Sequence, residues 1–442
     1  MASDLLSIAA SGARAARSAL DVTAQNIANA SSEGYVRRSV RMEEVSAAGG
    51  QNRVGDLSLS GARIAGIHRN ADLFRQAEVR RTGSDLARAD TELRGLENIE
   101  ASVEQSGVYG SIVEFEASLQ QLSTDPTDPS LRAAVLADAD TLARKFNIAV
   151  ETLDAAGEGV RFDAAAAVDE ANIIGGELSR VNLRLSRAGE GSSDRASLLD
   201  QRDALLERMS GVVAISTSFA PDGAVTVTTG GATMVSGGNA AALSMTTAAD
   251  GTIGFELGGA AIQPTGGALA GASLALAAGA DVRARLDTMA DNIASAVNGA
   301  QANGVALDGS QGQPIFAGSG AAGIAVVISD SSAIATAPAG SPAGSLDGSN
   351  LAALRQSLND GGAAKSMNSL LFDVSSAVSG RTVTRDALDA IASSARISLE
   401  QQAGVDLDTE AANLMRFQQA FQASGRAMQV ASDIFDTLMQ LR

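Results

Sequence analysis

The 442-residue sequence contains no cysteine and no tryptophan, it has a single histidine, and aromatic residues make up only 3% of it. Because thiols are lacking, disulfide bonds, cysteine nucleophiles and cysteine-bound zinc or iron–sulfur sites are excluded. A histidine-rich metal site or a Ser-His-Asp triad would have to rely on His68 alone. The sequence therefore predicts no catalytic residue, no metal site and no bound cofactor, and we expect the protein not to be an enzyme.

The charge is acidic overall and unevenly distributed. There are 33 Lys+Arg against 51 Asp+Glu, which gives a formal net charge of −18. Residues 1–100 hold 13 basic and 13 acidic side chains and residues 381–442 hold 6 and 8, so the excess of acid lies between the ends. No segment forms the basic stripe that nucleic acid requires. We therefore expect no nucleic-acid partner.

The sequence shows neither a membrane span nor a removable leader. Asp4 stands where a secretory signal peptide carries basic residues. The longest stretches without charge, 223–249 and 257–280, are interrupted by glycines and do not resemble spanning helices. We expect no membrane insertion, and export, if it occurs, without a cleaved signal peptide.

The two ends of the chain have the strongest helical periodicity. Apolar and small residues recur at spacings of three and four, which predicts a long helix from Leu5 and another over 407–442. Seams with this heptad spacing pair with each other and recruit further helices. We predict that both helices form an assembly interface through Leu5, Ile8, Ala15, Ala19, Val22, Asn26, Ile27 and Asn29 at the N-terminus and Leu407, Leu414, Phe417, Phe421, Met428, Ile434, Phe435 and Leu438 at the C-terminus.

The rest of the chain is predicted to be mainly α, with β material in the middle. Residues 34–70 are extended in character, with a turn at 47–50. After Gly211 the period changes to two, and Asp-Gly pairs separate the strands. The predicted strands are 212–219, 224–229, 252–257 and 324–329, and the predicted internal helices are 71–106, 111–122, 130–156, 160–188, 194–210, 281–302, 350–358, 365–379 and 384–441.

These elements indicate a mainly α fold with an inserted β domain, in an elongated multi-domain molecule. We expect a terminal α-helical coiled coil, a helical-bundle body and a small β-rich outer domain. The predicted boundaries are 1–40 plus 401–442 for the terminal assembly domain, 41–210 plus 268–302 plus 351–400 for the body, 211–267 for the β domain and 303–350 for an irregular Gly/Ser/Ala-rich segment.

Three features that resemble ligand sites have ordinary structural explanations. Gly318-Ser-Gly-Ala-Ala-Gly323 matches a dinucleotide-binding pattern, but a β-like stretch follows it where that pattern needs a helix, so we interpret it as a loop. Asp125 and Asp128 lie in a proline-rich turn without calcium-loop spacing and are predicted to cap the next helix. His68 lies on an extended segment without a partner residue and is predicted to be structural or solvated.

Both ends of the sequence resemble the flagellar rod, hook and hook-associated protein family. The N-terminal run contains Asn26-Ile-Ala-Asn-Ala followed by Gly34-Tyr35, and the C-terminal run contains Glu410-Ala-Ala-Asn-Leu and Phe435-Asp-Thr-Leu. Within the family, the two C-terminal stretches favour a hook-associated member. Internal segments also agree: Gly66-Ile-His-Arg69, Asp125-Pro-Thr-Asp-Pro-Ser-Leu-Arg132 and Leu198-Leu-Asp-Gln-Arg-Asp-Ala-Leu-Leu206.

The resemblance implies a structural subunit of the bacterial flagellum that polymerises at the distal end of the hook and joins hook to filament. It implies passage through the flagellar type III export apparatus to an extracellular position on the flagellum. The implied partners are further copies of the chain in a ring or helical assembly, the hook protein, the second hook-associated protein and a cytoplasmic export chaperone that holds the C-terminal helix.

Three alternatives remain open on the sequence. A flagellar hook or rod subunit would share the terminal motifs. An enzyme carried in the middle of the chain would need catalytic groups within 211–350, where there is no histidine and charge is sparse. A secreted coiled-coil effector is less consistent with the extended segment at 34–70.

Overall fold

The computed structural model describes residues 2–32, 34–46 and 59–440, and the turn predicted at 47–50 lies outside them. The chain divides into two compact units. The first unit comprises Met1–Ser84, Glu170–Leu243 and Asp389–Arg442, and the second comprises Asp85–Asp169 and Ser244–Leu388. Both terminal helices therefore belong to the first unit.

Helices account for most of the described residues, in keeping with a sequence rich in Ala, Leu, Glu and Arg, which lose little conformational freedom in a helix. In chain order the helices are α1 (Ala2–Ala28), α2 (Leu73–Ser106), α3 (Val108–Leu122), α4 (Pro129–Leu185), α5 (Ser193–Val212), α6 (Gly267–Ala302), α7 (Gly320–Gly323), α8 (Ser349–Gly361), α9 (Ala363–Ala403) and α10 (Leu407–Gln440), with a 3-10 turn at Ser331–Ala333. The predicted cap of α4 is confirmed, since Asp128 Oδ1 accepts from the backbone N–H groups of Ser130 and Leu131 at 2.7 and 3.0 Å.

The strands form small antiparallel sheets, and glycines with positive φ, such as Gly223 at 87° and Gly251 at 81°, turn the chain between them. The sheets are β1-β2, β3-β4-β5-β6, β7-β8-β9, β10-β13 and β11-β12. The strands are β1 (Arg38–Ser46), β2 (Leu59–Arg69), β3 (Ser216–Phe219), β4 (Val225–Thr229), β5 (Ala232–Ser236), β6 (Asn239–Ala240), β7 (Leu243–Thr247), β8 (Ile253–Leu257), β9 (Ala260–Ile262), β10 (Gly304–Val305), β11 (Phe316–Ala317), β12 (Ala325–Val326) and β13 (Ala337–Pro338).

In the first unit, α1 packs against α10 and against the β1–β2 hairpin. The approach to β2 is close, because a Cβ on Gly61 would lie 2.1 Å from Ser11 Oγ. The neighbouring backbone N–H of Ala62 donates to that hydroxyl at 3.2 Å. The β3–β6 sheet is attached to α4 by Asn182, whose Nδ2 donates to the carbonyl oxygens of Val225 and Gly237 at 2.8 and 3.0 Å.

The second unit has a continuous apolar core built from α2, α3, α4, α6, α8 and α9. Phe115 and Phe316 meet in it edge to face, with ring centroids 6.2 Å apart. Arg132 is 1% exposed and donates to backbone oxygens within 331–334 and to Thr336 Oγ1. The Asp125–Arg132 motif therefore anchors a neighbouring loop of this unit.

Several predicted boundaries are wrong. The helices predicted at 130–156 and 160–188 are one helix, α4, and α6 begins at Gly267 rather than at 281. The predicted break at 379–384 is absent, since α9 continues to Ala403. In the middle of the chain, β5, β6, β7 and β9 were not predicted, and the strand at 324–329 shortens to two residues.

Among the described residues, no helix combines the length and the apolar character needed to cross a membrane.

Candidate functional site

The motifs that carry the resemblance meet at one buried polar cluster of the first unit, which we call the polar node. It joins residues from α1, the segment after it, β1, β2, α5 and α10, which are far apart in the sequence. Its members are Asn26, Tyr35, Arg37, Arg38, Arg69, Asp200, Arg202, Asp203 and Glu410.

Asn26 is the centre of the polar node and is 1% exposed. Its Oδ1 accepts from the Tyr35 hydroxyl at 2.9 Å and from the Arg38 backbone N–H at 3.0 Å. Its Nδ2 donates to the Arg38 carbonyl oxygen at 2.8 Å and to Glu410 Oε2 at 3.1 Å. A side-chain amide offers two donor and two acceptor positions, so its hydrogen-bonding capacity is filled. The end of α1 is thereby fixed to the start of β1 and to α10.

Glu410 connects the C-terminal helix to the polar node. Its carboxylate is 1% exposed and accepts from Asn26 and from Arg37 Nε, the latter at 2.8 Å. One turn earlier, Asp406 accepts from two backbone N–H groups in the first turn of α10. The backbone N–H of Arg37 also donates to the carbonyl oxygen of Ala403 at 2.9 Å. Hydrogen bonds therefore hold the connection 404–406 between α9 and α10 on both sides, at Ala403 and at Glu410.

Two arginines on the β1–β2 hairpin reach the aspartates of α5. Arg38 Nη2 lies 2.6 Å from one oxygen of Asp200, and Arg69 Nη2 lies 2.7 Å from the other. Arg69 also bonds Asp203 at 2.9 Å, and Arg202 bonds the second oxygen of Asp203 at 2.6 Å. Because these side chains are at most 15% exposed, loss of one partner would leave a buried charge unpaired.

Burial sets the electrostatics of the polar node. It raises the pKa of Asp200, and the guanidinium groups of Arg69 and Arg38 oppose that rise. Burial likewise lowers the pKa of Arg202, an effect that Asp203 opposes. Both carboxylate oxygens of Asp200, Asp203 and Glu410 accept hydrogen bonds from side chains of the chain itself. The arrangement is thus suited to holding segments together.

The glycine of the Gly66-Ile-His-Arg69 motif allows β2 to reach α5. A Cβ on Gly66 would lie 3.0 Å from the Cα of Gly191, just before α5. The backbone N–H of Ile67 donates to the Gly191 carbonyl oxygen at 2.9 Å. This close backbone contact places Arg69 next to the aspartates.

The positions predicted as an assembly interface fall into three groups. Ala15, Ala19, Val22 and Asn26 are buried within the first unit. Asn29, Leu414, Phe417 and Met428 are partly buried, and the side chain of Leu438 lies outside the described residues. The remaining positions are between 36% and 54% exposed: Leu5, Ile8, Ile27, Leu407, Phe421, Ile434 and Phe435.

Of the residues in the polar node, only Asn26 was predicted as a site residue, at the assembly interface. A signal was present, because Asn26 and Glu410 both interrupt apolar heptad series on their helices. Arg69 and the α5 aspartates also lie inside quoted motifs, but nothing in the sequence pairs them.

The other candidate features have local roles. His68 is exposed on β2, opposite Ser39. The Gly318–Gly323 stretch, predicted as a loop, contains the single turn α7, whose Gly320 and Ala321 N–H groups donate to Asp291 and Asp287 at 2.7 Å. Within the described parts of the chain, no group of three or more His, Asp or Glu side chains is arranged to hold a metal ion.

Comparison with known families matches the two paired helices and the region between them. Residues 6–35 match the flagella basal body rod protein family, and residues 400–441 match the flagellar basal body rod FlgEFG protein C-terminal family. Both terminal helices are therefore similar to the terminal segments of flagellar basal body rod proteins. Residues 93–316, half of the chain, match the flagellar hook-associated protein FlgK helical domain. The chain belongs to this FlgK family.

Individual relatives agree with this assignment. Flagellar hook-associated protein 1 of Salmonella typhimurium is 28% identical over 249 residues, which cover 55% of this chain and 44% of that protein. The protein of the same name from Escherichia coli K12 is 28% identical over 250 residues, which cover 55% of this chain and 45% of that protein. That of Bacillus subtilis 168 is 25% identical over 217 residues, covering 47% and 43%. The chain therefore spans less than half the length of these relatives.

A solved structure, the flagellar hook junction protein FlgK from Burkholderia pseudomallei, is similar at a TM-score of 0.49 and 24% identity, over 55% of this chain and 46% of that chain.

Proposed function

We propose that this protein is a non-enzymatic structural subunit of the bacterial flagellum, which polymerises at the distal end of the hook and joins hook to filament. Membership of the FlgK family carries the proposal, because its matched relatives are flagellar hook-associated proteins. The subunit would act outside the cell, on the flagellum, after export.

The terminal assembly domain, 1–40 plus 401–442, would supply the polymerisation surface. Contiguous apolar side chains on the surface of a soluble protein mark interaction sites. Exposed apolar residues occur on both helices, among them Leu5 at 51% on α1 and Phe435 at 52% on α10. Their heptad spacing favours contact with helices of neighbouring copies. The polar node would hold the base of this helix pair while its outer faces pack against neighbours.

The partners follow from this position. Further copies of the chain, the hook protein and the second hook-associated protein would contact the assembled layer. Before assembly, the type III export apparatus and a cytoplasmic export chaperone would receive the chain, the chaperone through α10. That helix is accessible, because among 407–437 only Glu410 and Ala431 are fully buried. Neither nucleic acid nor membrane insertion is part of the proposal.

Deletion of the gene, followed by electron microscopy of the cell surface, tests the proposal. We expect complete hooks without filaments, flagellin lost to the medium, and recovery when the gene is restored. Intact filaments on the deletion strain would overturn the junction role and favour a secreted effector.

A hook or rod subunit is the second candidate, because both terminal matches are to rod-type families. The FlgK helical-domain match over 93–316 favours the junction role over it. The same deletion separates the two, since loss of a hook or rod subunit would leave cells without hooks.

A further inference from the structure

The terminal helices meet through one buried polar pair. On α10, Glu410 lies between Leu407 and Leu414 at the three- and four-residue spacing of a heptad seam. On α1, Asn26 lies four residues after Val22, on the same face of the helix. Glu410 and Asn26 are each 1% exposed, and Asn26 Nδ2 donates to Glu410 Oε2 at 3.1 Å. A polar residue at a core heptad position is a known means of fixing helix register at some cost in stability.

Apolar packing accounts for only part of the preference of α10 for one register. The buried stripe of α1 is made mostly of one small residue type: Ala9, Ala13, Ala15, Ala16 and Ala19. A shift of a partner helix by one heptad would exchange Ala9 for Ala16, but it would also replace Ala13 by Leu20 and Ala15 by Val22. Apolar packing therefore distinguishes the registers only in part. On α10, the fully buried side chains among 407–437 are Glu410 and Ala431.

The buried carboxylate distinguishes the registers. In the observed register one oxygen of Glu410 accepts from Asn26 and the other from Arg37. Gly12 lies two heptads before Asn26 on α1, and Ser424 lies two heptads after Glu410 on α10. These two residues are also in contact, since a Cβ on Gly12 would lie 3.1 Å from Ser424 Oγ, so the same register holds there. A shift of one heptad would move the carboxylate away from both donors, and an unsatisfied buried carboxylate is costly.

We propose that Glu410, through Asn26 and Arg37, sets the register of α10 against α1. The register decides which apolar side chains of the pair face outward together. The consequence for assembly rests on the junction function proposed above, whereas the register itself is a property of the single chain. Glu410 is therefore a positioning residue for the assembly surface.

Disulfide trapping in the purified full-length chain tests the proposal, since the native sequence adds no other thiol. The in-register reporter is Gly12→Cys with Ser424→Cys, where the two Cβ atoms would be 3.9 Å apart, within the range of disulfides. The reporter for a one-heptad shift is Gly12→Cys with Ala431→Cys, whose backbones in the observed register are separated by roughly 10 Å along the helix. The measured quantity is the ratio of the two cross-linked yields, with far-UV circular dichroism to verify helix content.

With Glu410 in place, we expect the in-register yield to exceed the shifted yield by about tenfold or more, the ratio that a charge-assisted hydrogen bond supports. Glu410→Leu should bring the two yields close together, although leucine is an apolar residue suited to a heptad core. Glu410→Gln keeps one acceptor oxygen, so its yield ratio should stay nearer to the native ratio. Arg37→Gln changes neither helix and should lower the ratio as well. An unchanged ratio in both Glu410→Leu and Arg37→Gln would overturn the proposal. Because no hook or filament is involved, that result would leave the deletion test of the junction role unaffected.

Discussion

Arg132 organises a loop of the second unit from a fully buried position. Its guanidinium donates to the carbonyl oxygens of Pro126, Ser331, Ser332 and Ile334 and to the hydroxyl of Thr336. An arginine in this setting satisfies several backbone acceptors at once, which no apolar residue of similar size can do. The sequence motif Asp125–Arg132 is therefore explained by packing within the unit.

Replacing Arg132 should destabilise the protein strongly. We expect Arg132→Met to lower the free energy of unfolding by about 3 kcal/mol, because buried carbonyl oxygens lose their donors. Urea denaturation followed by circular dichroism measures this. The control is Arg144→Met on the same helix, where the arginine is 68% exposed in a surface pair with Asp140 and the expected change is within about 0.5 kcal/mol. Equal effects of the two substitutions would contradict the role of Arg132.

Aspartates in short turns make stability depend on pH. Asp308 and Asp330 accept hydrogen bonds from the hydroxyl and backbone N–H groups of Ser310 and Ser332, and these bonds hold the pKa of each carboxyl below its ordinary value of 3.8. A group whose pKa is lower in the folded state stabilises the fold fully above its unfolded pKa. That contribution is lost as the pH falls through the folded-state pKa.

We therefore expect the urea concentration at the unfolding midpoint to decrease as the pH is lowered from about 5 to about 3. The double variant Asp308→Asn/Asp330→Asn keeps the turn-forming acceptors but cannot titrate, so its midpoint should change less over that range. A double variant with the same pH dependence as the native chain would exclude these two carboxyl groups as a cause.

The polar node could be predicted from the sequence only in part. Asn26 and Glu410 stand out as polar residues in apolar heptads, so their burial was accessible to sequence reasoning. The pairing of Arg38 and Arg69 with Asp200 was not, because it depends on the β1–β2 hairpin lying against α5. A single sequence carries no direct record of such long-range contacts.

At the scale of elements, the contact between α2 and α6 depends on small residues. A Cβ on Gly271 would lie 2.4 Å from the carbonyl oxygen of Arg88, and a Cβ on Gly95 would lie 2.3 Å from the Cβ of Ala275. The two backbones therefore approach closely, and apolar packing outweighs the low helix propensity of glycine. Because glycine has a low helix propensity, the glycine-rich start of α6 at 267–280 was not predicted as a helix.

Two glycine substitutions in α6 should have opposite effects. Gly271→Ala should lower the free energy of unfolding by about 1–3 kcal/mol, because the new methyl group forces the helices apart. At Gly299 no atom lies within 4 Å of a new Cβ. Gly299→Ala should therefore raise the free energy of unfolding by up to about 1 kcal/mol, because alanine has the higher helix propensity. Urea denaturation of both variants, under the same conditions, makes the comparison. Stabilisation by Gly271→Ala would contradict the close approach.

Long periodic segments were the most predictable elements. The observed α1, α2 and α5 agree with their predicted ranges within a few residues. Short strands such as β5 and β9 were missed, since three to five residues carry too little periodicity to separate a strand from a turn. The continuity of α4 through Gly157 and Gly159 was also missed, because glycine has a low helix propensity and so indicates a break.

At the scale of the whole molecule, the exposed apolar faces of the terminal helices bear the proposed function. Phe435 on α10 is 52% exposed, and burial of a phenylalanine in an interface contributes about 1.5–3 kcal/mol. Phe435→Gln should therefore weaken assembly roughly tenfold or more while leaving the folded monomer unchanged. The control is Phe372→Gln in the second unit, which is 71% exposed.

Complementation of the deletion strain, scored as the fraction of hooks that carry filaments, measures this difference. Urea denaturation of both purified variants verifies that folding is intact. If Phe372→Gln impaired filament attachment and Phe435→Gln did not, the assembly surface would have to be placed elsewhere.

The central claim is that this chain lies between hook and filament, and labelling of the intact flagellum tests it most directly. Asn239, exposed on β6, can be replaced by cysteine in a chain that otherwise has none, and a maleimide-linked gold particle then marks the subunit in electron micrographs. The unsubstituted chain, treated in the same way, gives the background. The account predicts gold confined to a single band where the hook meets the filament; gold distributed along the hook or filament, or retained only with the rod, would contradict it.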